Sequence, residues 1–586
     1  MTNKQIAYAF DELANLMELH EEDDFRIRSY RNAYLNLRKL DRPLAEMPDA
    51  EIKDIKGVGP AIAGKIRELV SGGKMATLEK YREKTPSGVV EMLEVNGFGP
   101  KKVRVVWKEM GIESVGELWY ACNENRLVEF KGFGLKTQED LKNKLEYFFK
   151  SRDKLHLDAA EEEADFVCTW LSGKLPDARV APVGELRRRC PVIEKVEILV
   201  GFSGDVPAAL AAGGSEIFQV VEPAEDSAAK AAGTFQVQLE NNTLIQIHCC
   251  EPAEFGSKMF KFTGSAEFVE AFAKAHPGVD FKNLDNEEAV FEKAGAAYVV
   301  PELRDPTPGP SPTGRGDIET TATSSVFSTE RSTSPLPVGE GPGVGLIDDH
   351  DLRGILHVHT TWSDGLHSLR EMCEYTRSLG YSYIGITDHS QSAFYANGLK
   401  PDRVLAQMEE IDKLNEELAP FRIFKGIESD ILNDGALDYE NSILEKFDFV
   451  IASVHSNLKM TREKATERVL RAIKNPYTTI LGHPTGRLLL SREGYPLDWD
   501  AVFDACARHK VAIELNANPY RLDIDWTLIP EALRRSISIS INPDAHSKDG
   551  IHDVRYGVMV ARKGALTAAG CLNARAVDEW LPPKKK

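Results

Sequence analysis

From about residue 346 onward, short β-rich runs alternate with helix-length segments, and few folds accommodate that pattern. The runs are ILHVH, YIGIT, RIFKGI, DFVIASV, TTILG, VAIEL and ISISI. Seven strand–helix units in series predict a βα-barrel, an architecture that places its chemistry at the C-terminal ends of the strands.

Those ends carry donor residues. His357 and His359 stand at i and i+2 in RGILHVHTTWSDG, a spacing that predicts two imidazoles on one face of a strand. Asp364 follows, then His389 in GITDHS, Glu428 in KGIESD, His455 in ASVHS, His483 in LGHPTG, and Asp544 with His546 in NPDAHS. Ten of the 14 histidines lie in this part of the chain. Imidazole and carboxylate donors mixed in this way suit Zn²⁺ or Mn²⁺ better than Mg²⁺. Clustered ions of that kind hydrolyse phosphoesters, with Glu428 and Asp364 as candidate catalytic ligands. Arg521, in LNANPYRLD, is a candidate phosphate clamp, with an ordinary salt bridge as its other reading.

Upstream, residues 305–345 are dense in Pro, Gly, Ser and Thr and nearly devoid of large apolar side chains, which predicts a disordered linker. Residues 1 to about 150 read as consecutive helices, and 155 to 300 as mixed, with VEILVG, FQVQLE and LIQIHCC as strands. Three segments in the helical part repeat one theme: IKGVGP at 55–60, VNGFGP at 95–100 and FKGFGL at 130–135. The glycines Gly57, Gly59, Gly97, Gly99, Gly132 and Gly134 permit a tight turn with positive φ, and the free N–H groups of the helix that follows each pair suit a phosphate. Lys101, Lys102 and Lys136 add charge beside them. Such loops hold a DNA backbone without reading bases.

Composition excludes some classes. Hydrophobic residues make up 42% and charged residues 28% of the 586, and no apolar run is long enough for a membrane helix. Eight cysteines without a C-x-x-C pair exclude a disulfide scaffold or zinc ribbon, and with the lack of a signal-peptide core predict a cytoplasmic protein. A net charge of −19 argues against indiscriminate coating of nucleic acid, but leaves local basic surfaces open.

The opening helices, the three hairpins, GELRRRCPVIEKVEILV, PAEFGSKMFKFTGS and the C-terminal donors together resemble a bacterial family X DNA polymerase, a DNA polymerase beta-like protein with a C-terminal PHP (polymerase and histidinol phosphatase) domain. The resemblance implies a multidomain fold: a helical helix-hairpin-helix region, an α+β nucleotidyltransferase-like middle, and a distorted βα-barrel. The implied boundaries are 1–85 (lyase-like), 86–154 (fingers-like), 155–304 (degenerate palm and thumb), 305–345 (linker) and 346–586 (PHP). It also implies a trinuclear site. His357, His359, Glu428 and Asp544 would hold one ion, Glu428 with His455 and His483 a second, and Asp364, His389 and His546 a third. Lys65 stands where some family members carry a Schiff-base nucleophile; its other reading is a solvated lysine near phosphate.

In the middle the match breaks chemically. Gly184, Arg187 and Arg188 are in place, but Glu185 replaces a serine, Lys195 and Glu197 replace paired aspartates, and Gln246 replaces a third. Lys261 stands where the family has an aromatic. Mg²⁺ wants anionic oxygen, so this site is expected to lack Mg²⁺ and polymerase activity. The expectation is a DNA-repair phosphoesterase acting 3′→5′ on gapped or nicked DNA. An active gap-filling polymerase with exonuclease, a non-catalytic DNA scaffold and a small-molecule phosphatase are the alternatives.

Overall fold

The structure is a computed structural model. It describes all residues except 41, 124–125, 131, 205, 207–217, 222–232, 240–242, 307–344 and 581–586. The expected linker therefore lies almost wholly outside the described residues. The chain divides into two compact units, Met1–Arg152 and Asp153–Lys586.

The first unit is helical. Its opening helix, Asn3–Leu19, is held at its start by a capping box between Thr2 and Gln5, and buries Ile6, Phe10, Leu13 and Met17 along one face. The glycine segments form turns of one kind. Val58 N–H donates to the Ile55 carbonyl (2.9 Å), Phe98 to Val95 (2.9 Å) and Phe133 to Phe130 (3.1 Å). Gly57, Gly97 and Gly132 take φ of +84°, +70° and +95°, which side chains disfavour. Between the glycines of each pair, Val58, Phe98 and Phe133 plug the core. The Phe98 and Phe133 rings lie 6.2 Å apart, so the second and third hairpins pack on one another.

The second unit contains two sheets of interest. The strands are β1 (Arg179–Val183), β2 (Val196–Gly201), β3 (Phe218–Val221), β4 (Thr234–Leu239) and β5 (Leu244–Cys250). Their order is β1-β2-β5-β4-β3, with β2 and β5 parallel. The expected strands are present, and β1 and β3 join them at the edges. A β1 edge position explains how the sheet tolerates Pro182, which has no N–H for a ladder.

The barrel strands are β6 (Gly354–Val358), β7 (Tyr383–Ile386), β8 (Arg422–Asp430), β9 (Phe449–Ser453), β10 (Ile480–Leu481), β11 (Ala512–Asn516) and β12 (Ile539–Asn542). Among the described residues they make one parallel sheet in chain order. The sheet closes where Val358 bridges to Ala545. There His359 N–H donates to the Ala545 carbonyl (2.8 Å) and Ala545 N–H to that of His357 (3.1 Å). Helices such as Pro401–Glu417 and Trp499–His509 cover the outside, so the strands are buried on both faces.

Candidate metal centre

All nine expected donors converge at the C-terminal mouth of the barrel, around Glu428. His357, His455 and His483 approach its Oε1 at 3.3, 3.1 and 3.0 Å; His389 and His359 approach Oε2 at 2.9 and 3.7 Å. Asp544 lies 3.2 Å from His359 and 3.5 Å from His357. Asp364 lies 3.5 Å from His546 and 3.8 Å from His389.

His357 and His359 share one group of donors with Asp544, but on backbone that departs from a regular strand. The register with β7 shifts between Ile355 and Val358, β6 ends at Val358, and His357 adopts φ +61°. This kink sets the two rings 5.3 Å apart. Asp544 (+53°) and His483 (+20°) also take positive φ, so three of the nine donors sit in sparsely populated backbone.

Ions fit this constellation. Among the described residues, His357 Nε2, both ring nitrogens of His359 and His483 Nδ1 are buried without a hydrogen-bond partner. Orphaned buried polar atoms are costly, and a cation is the partner that this donor set suits. Among the described residues, three groupings have donor atoms mutually within 4.8 Å: His359 with Asp364, His389 and His546; His357 with His359 and Asp544; and His389 with Glu428 and His455. They resemble the implied partition but give His359 and His389 each to two of the groups. His483 reaches Glu428 without joining one.

Burial opposes charge throughout the cluster; the pairings override it at Glu428, Asp544, Asp364, His455 and His546, but not at His359. The imidazoles of His455, His357 and His389 hold the Glu428 carboxyl well below its usual range, and His357 with His359 and His546 does the same for Asp544. Asp364 falls to about 2 beside His546. His455 rises to about 10 beside Glu428 and Asp430, and His546 to about 9 through Asp364 and Asp544. Burial, reinforced by His546 and His389, takes His359 down to about 3.

Sequence reasoning missed Glu514 and Asp430. Glu514 is fully buried; its carboxylate accepts from His357 Nδ1 (2.6 Å), the His483 N–H (2.6 Å) and Asn542 (2.7 Å). Asp430 pairs with His455 Nδ1. Each fixes a tautomer and aims the other ring nitrogen at the centre. A signal existed: Asp430 stands two residues from Glu428 on one strand, and Glu514 lies near the C-terminal end of another. Arg521 is half-buried, with Nε 3.6 Å from Asp544.

The middle sheet is differently committed. Glu197 and Gln246 are register partners on β2 and β5, so two of the three substituted positions meet. Glu197 pairs with His248 (3.0 Å), whose ring stacks on Phe262 at 3.9 Å. Lys195 is exposed just before β2. Glu185 accepts from the Glu194 N–H (2.6 Å), and burial raises its pKa. Arg187 makes a bidentate pair with Glu287 (2.9 and 2.7 Å), which also takes the fully buried Arg304 (2.5 Å). Arg188 binds Asp305 (2.9 Å).

In the helical unit, Gly59, Gly99 and Gly134 cap their helices with no side-chain hydrogen bond, and a Cβ at any of them would meet nothing within 4 Å. Their approach is open for a phosphate. Lys101, Lys102 and Lys136 are exposed in the first turns that follow. Lys65 is half-buried and donates to Thr77 Oγ1 (2.5 Å).

Helical hairpins, a nucleotidyltransferase-like sheet and a multi-histidine barrel on one chain define a DNA-processing protein with a metal-dependent hydrolase domain. Family models agree: a helix-hairpin-helix domain matches residues 1–75, a SAM-like helix-hairpin-helix tandem 89–146, and a PHP domain 356–518. The chain is 31% identical to the DNA polymerase/3′-5′ exonuclease PolX of Bacillus subtilis (strain 168), over 99% of this chain and 98% of that protein. It belongs to the PolX family, the family X DNA polymerases with a PHP domain. Probable phosphatases of Thermoanaerobacter sp. (strain X514) and Syntrophotalea carbinolica are 27% and 28% identical, over 36% and 39% of this chain and 94% and 91% of their own lengths.

Proposed function

We propose that the chain is a DNA-repair phosphodiesterase that removes nucleotides or blocking groups 3′→5′ at gaps and nicks, and that its middle domain does not polymerise. The observation that carries this reading is the set of orphaned imidazole nitrogens around Glu428. Mn²⁺ or Zn²⁺ bound by the nine donors would supply Lewis acidity and an acidified water. The protein's own residues do the rest. Glu514 and Asp430 hold the Nδ1 protons of His357 and His455, presenting both Nε2 atoms inward. Arg521 sets a guanidinium beside the centre, placed for a phosphate oxygen. The glycine hairpins are assigned the DNA backbone, and the barrel the hydrolysis of a strand end.

Loss of polymerisation is supported by the committed residues. Glu197 is engaged by His248, Gln246 is neutral, and Arg187 already holds a carboxylate where a triphosphate would need it. End-labelled gapped DNA with Mn²⁺, with and without dNTPs, tests both halves. Shortening by the wild-type chain and no extension by the Glu428→Ala chain are expected. Template-directed extension by that variant would overturn the second half, and no shortening by the wild type would overturn the first. Lys65 as a Schiff-base nucleophile is a separate activity. Borohydride trapping on abasic DNA, lost in Lys65→Ala, would establish it.

A further inference from the structure

Asp364 stands on a turn beyond the end of β6, outside the sheet. Its side chain is 36% exposed and that of His546 38%, whereas the other seven donors are 11% exposed or less. Something other than burial must set the position of this carboxylate.

The turn, residues 360–365, folds back on the chain that precedes it. Ser363 N–H and Gly365 N–H both donate to the Thr360 carbonyl (3.0 and 2.9 Å). A Cβ at Gly365 would lie 2.7 Å from the backbone of His359 and Thr360, so a side chain does not fit there. Asp388, the residue before His389, grips this turn and is fully buried. Its Oδ1 accepts from the N–H groups of Thr360 (2.8 Å) and Ser363 (3.1 Å) and from the Ser363 hydroxyl (2.5 Å). Its Oδ2 accepts from the Thr360 hydroxyl (2.8 Å) and from Gln407 (2.6 Å). The Ser363 hydroxyl also lies 3.2 Å from Asp364 Oδ1, so one hydroxyl separates the two carboxylates. Helix Pro401–Glu417, which carries Gln407, secures the turn a second time. Glu410 accepts from the Trp362 ring N–H (2.9 Å), and Arg403 donates to the Trp362 carbonyl.

These five donors to Asp388 are all uncharged, and a buried carboxylate held by neutral groups is costly. A cation at the neighbouring donors offsets that cost, and carboxylates behind metal ligands are what orient the ligands themselves. The links from Asp388 reach His359 through Thr360, Asp364 through Ser363, and His389 along the chain. Those are three of the four residues in one donor group, His359, Asp364, His389 and His546.

We propose that Asp388, whose oxygens are taken up by the turn, is the positioning residue for the ion of that group, and that helix Pro401–Glu417 fixes it through Gln407. This deepens the phosphodiesterase reading and rests on its metal centre. The test titrates the metal-free full chain with Mn²⁺ and, separately, with Zn²⁺, in competition with a fluorescent chelator and without DNA. Asp388→Ala is expected to weaken one class of ion site by about 10- to 100-fold and to spare the rest. Gln407→Leu, a change of similar size on a helix that supplies no donor, should weaken the same class by a smaller factor. Melting of the metal-free chains is followed in parallel, and Gln407→Leu decides the matter if Asp388→Ala does not fold. Unchanged affinity at every site, uniform weakening of all sites, or a loss confined to the Tm of the metal-free chain would overturn the inference. Each of those results leaves the phosphodiesterase reading intact, because hydrolysis is not measured. A wild type that binds neither ion would overturn both.

Discussion

Glu428 stands where five imidazoles meet, so the barrel's chemistry depends on it more than on any single histidine. Glu428→Ala is expected to abolish release of 3′ nucleotides while DNA affinity, measured by fluorescence anisotropy, stays near wild type. Glu514→Gln keeps the shape but weakens the hold on His357, and should cost about 10- to 100-fold in metal affinity or activity. Metal content after dialysis, read beside turnover, separates that loss from misfolding. Glu287 behaves differently because its partners are arginines. Burial opposes its charge, but Arg187 and Arg304 outweigh burial and hold its carboxyl at about 2, against an ordinary 4.5. The depressed pKa means stability present above pH 4.5 and lost as pH falls toward 2, about 3 kcal/mol in all. Glu287→Gln should therefore be destabilised most at neutral pH, and the gap to wild type should close during acid unfolding. A gap constant with pH would refute the pairing.

Each glycine hairpin divides its work between its two glycines. Gly57, Gly97 and Gly132 have positive φ, so alanine there should lower Tm through backbone strain of about 1 kcal/mol. Gly59 and Gly99 have ordinary φ and open space around a Cβ. Gly59→Ala and Gly99→Ala should leave Tm nearly unchanged yet weaken DNA binding, because a methyl group stands in the approach to the helix N–H groups. Lys101→Ala and Lys102→Ala should each reduce the slope of log K against log salt by about 0.9 if each meets a phosphate. Similar losses of Tm at both glycine positions would remove the assignment.

Across the whole molecule, the polymerase-like sheet and the barrel belong to one compact unit. Lys563, on the barrel helix Val554–Lys563, is buried against Asp305, which also holds Arg188. Arg562 pairs with Glu302 (2.7 Å), and Arg555 with Glu161. The composition of residues 305–345 predicts that protease cuts there first. The ion pairs predict that the fragments then stay together through size-exclusion chromatography. Lys563→Met removes a partner from a buried carboxylate and should cost about 3 kcal/mol, seen as a lower Tm and as separation of the nicked fragments. Fragments of the unaltered chain that separate freely would contradict this packing.

The sequence by itself determined the local patterns that need only chain neighbours. Seven apolar runs spell out the barrel, paired glycines mark the turns, and each donor stands at a strand end where a βα fold exposes it. It also displayed Lys195, Glu197 and Gln246 where the resemblance implies aspartates, because charge is a property of residue type. Relations across distance were decided by the tertiary structure. Glu514 lies 157 residues from the imidazole it orients, and Lys563 lies 258 from Asp305. No periodicity encodes such pairs. The His357 kink was hidden for the same reason: it arises where β6 meets β7 and Ala545 to close the ring. Closure, burial and the choice of ion partner are properties of the packed molecule, and they turned separate donors into one centre.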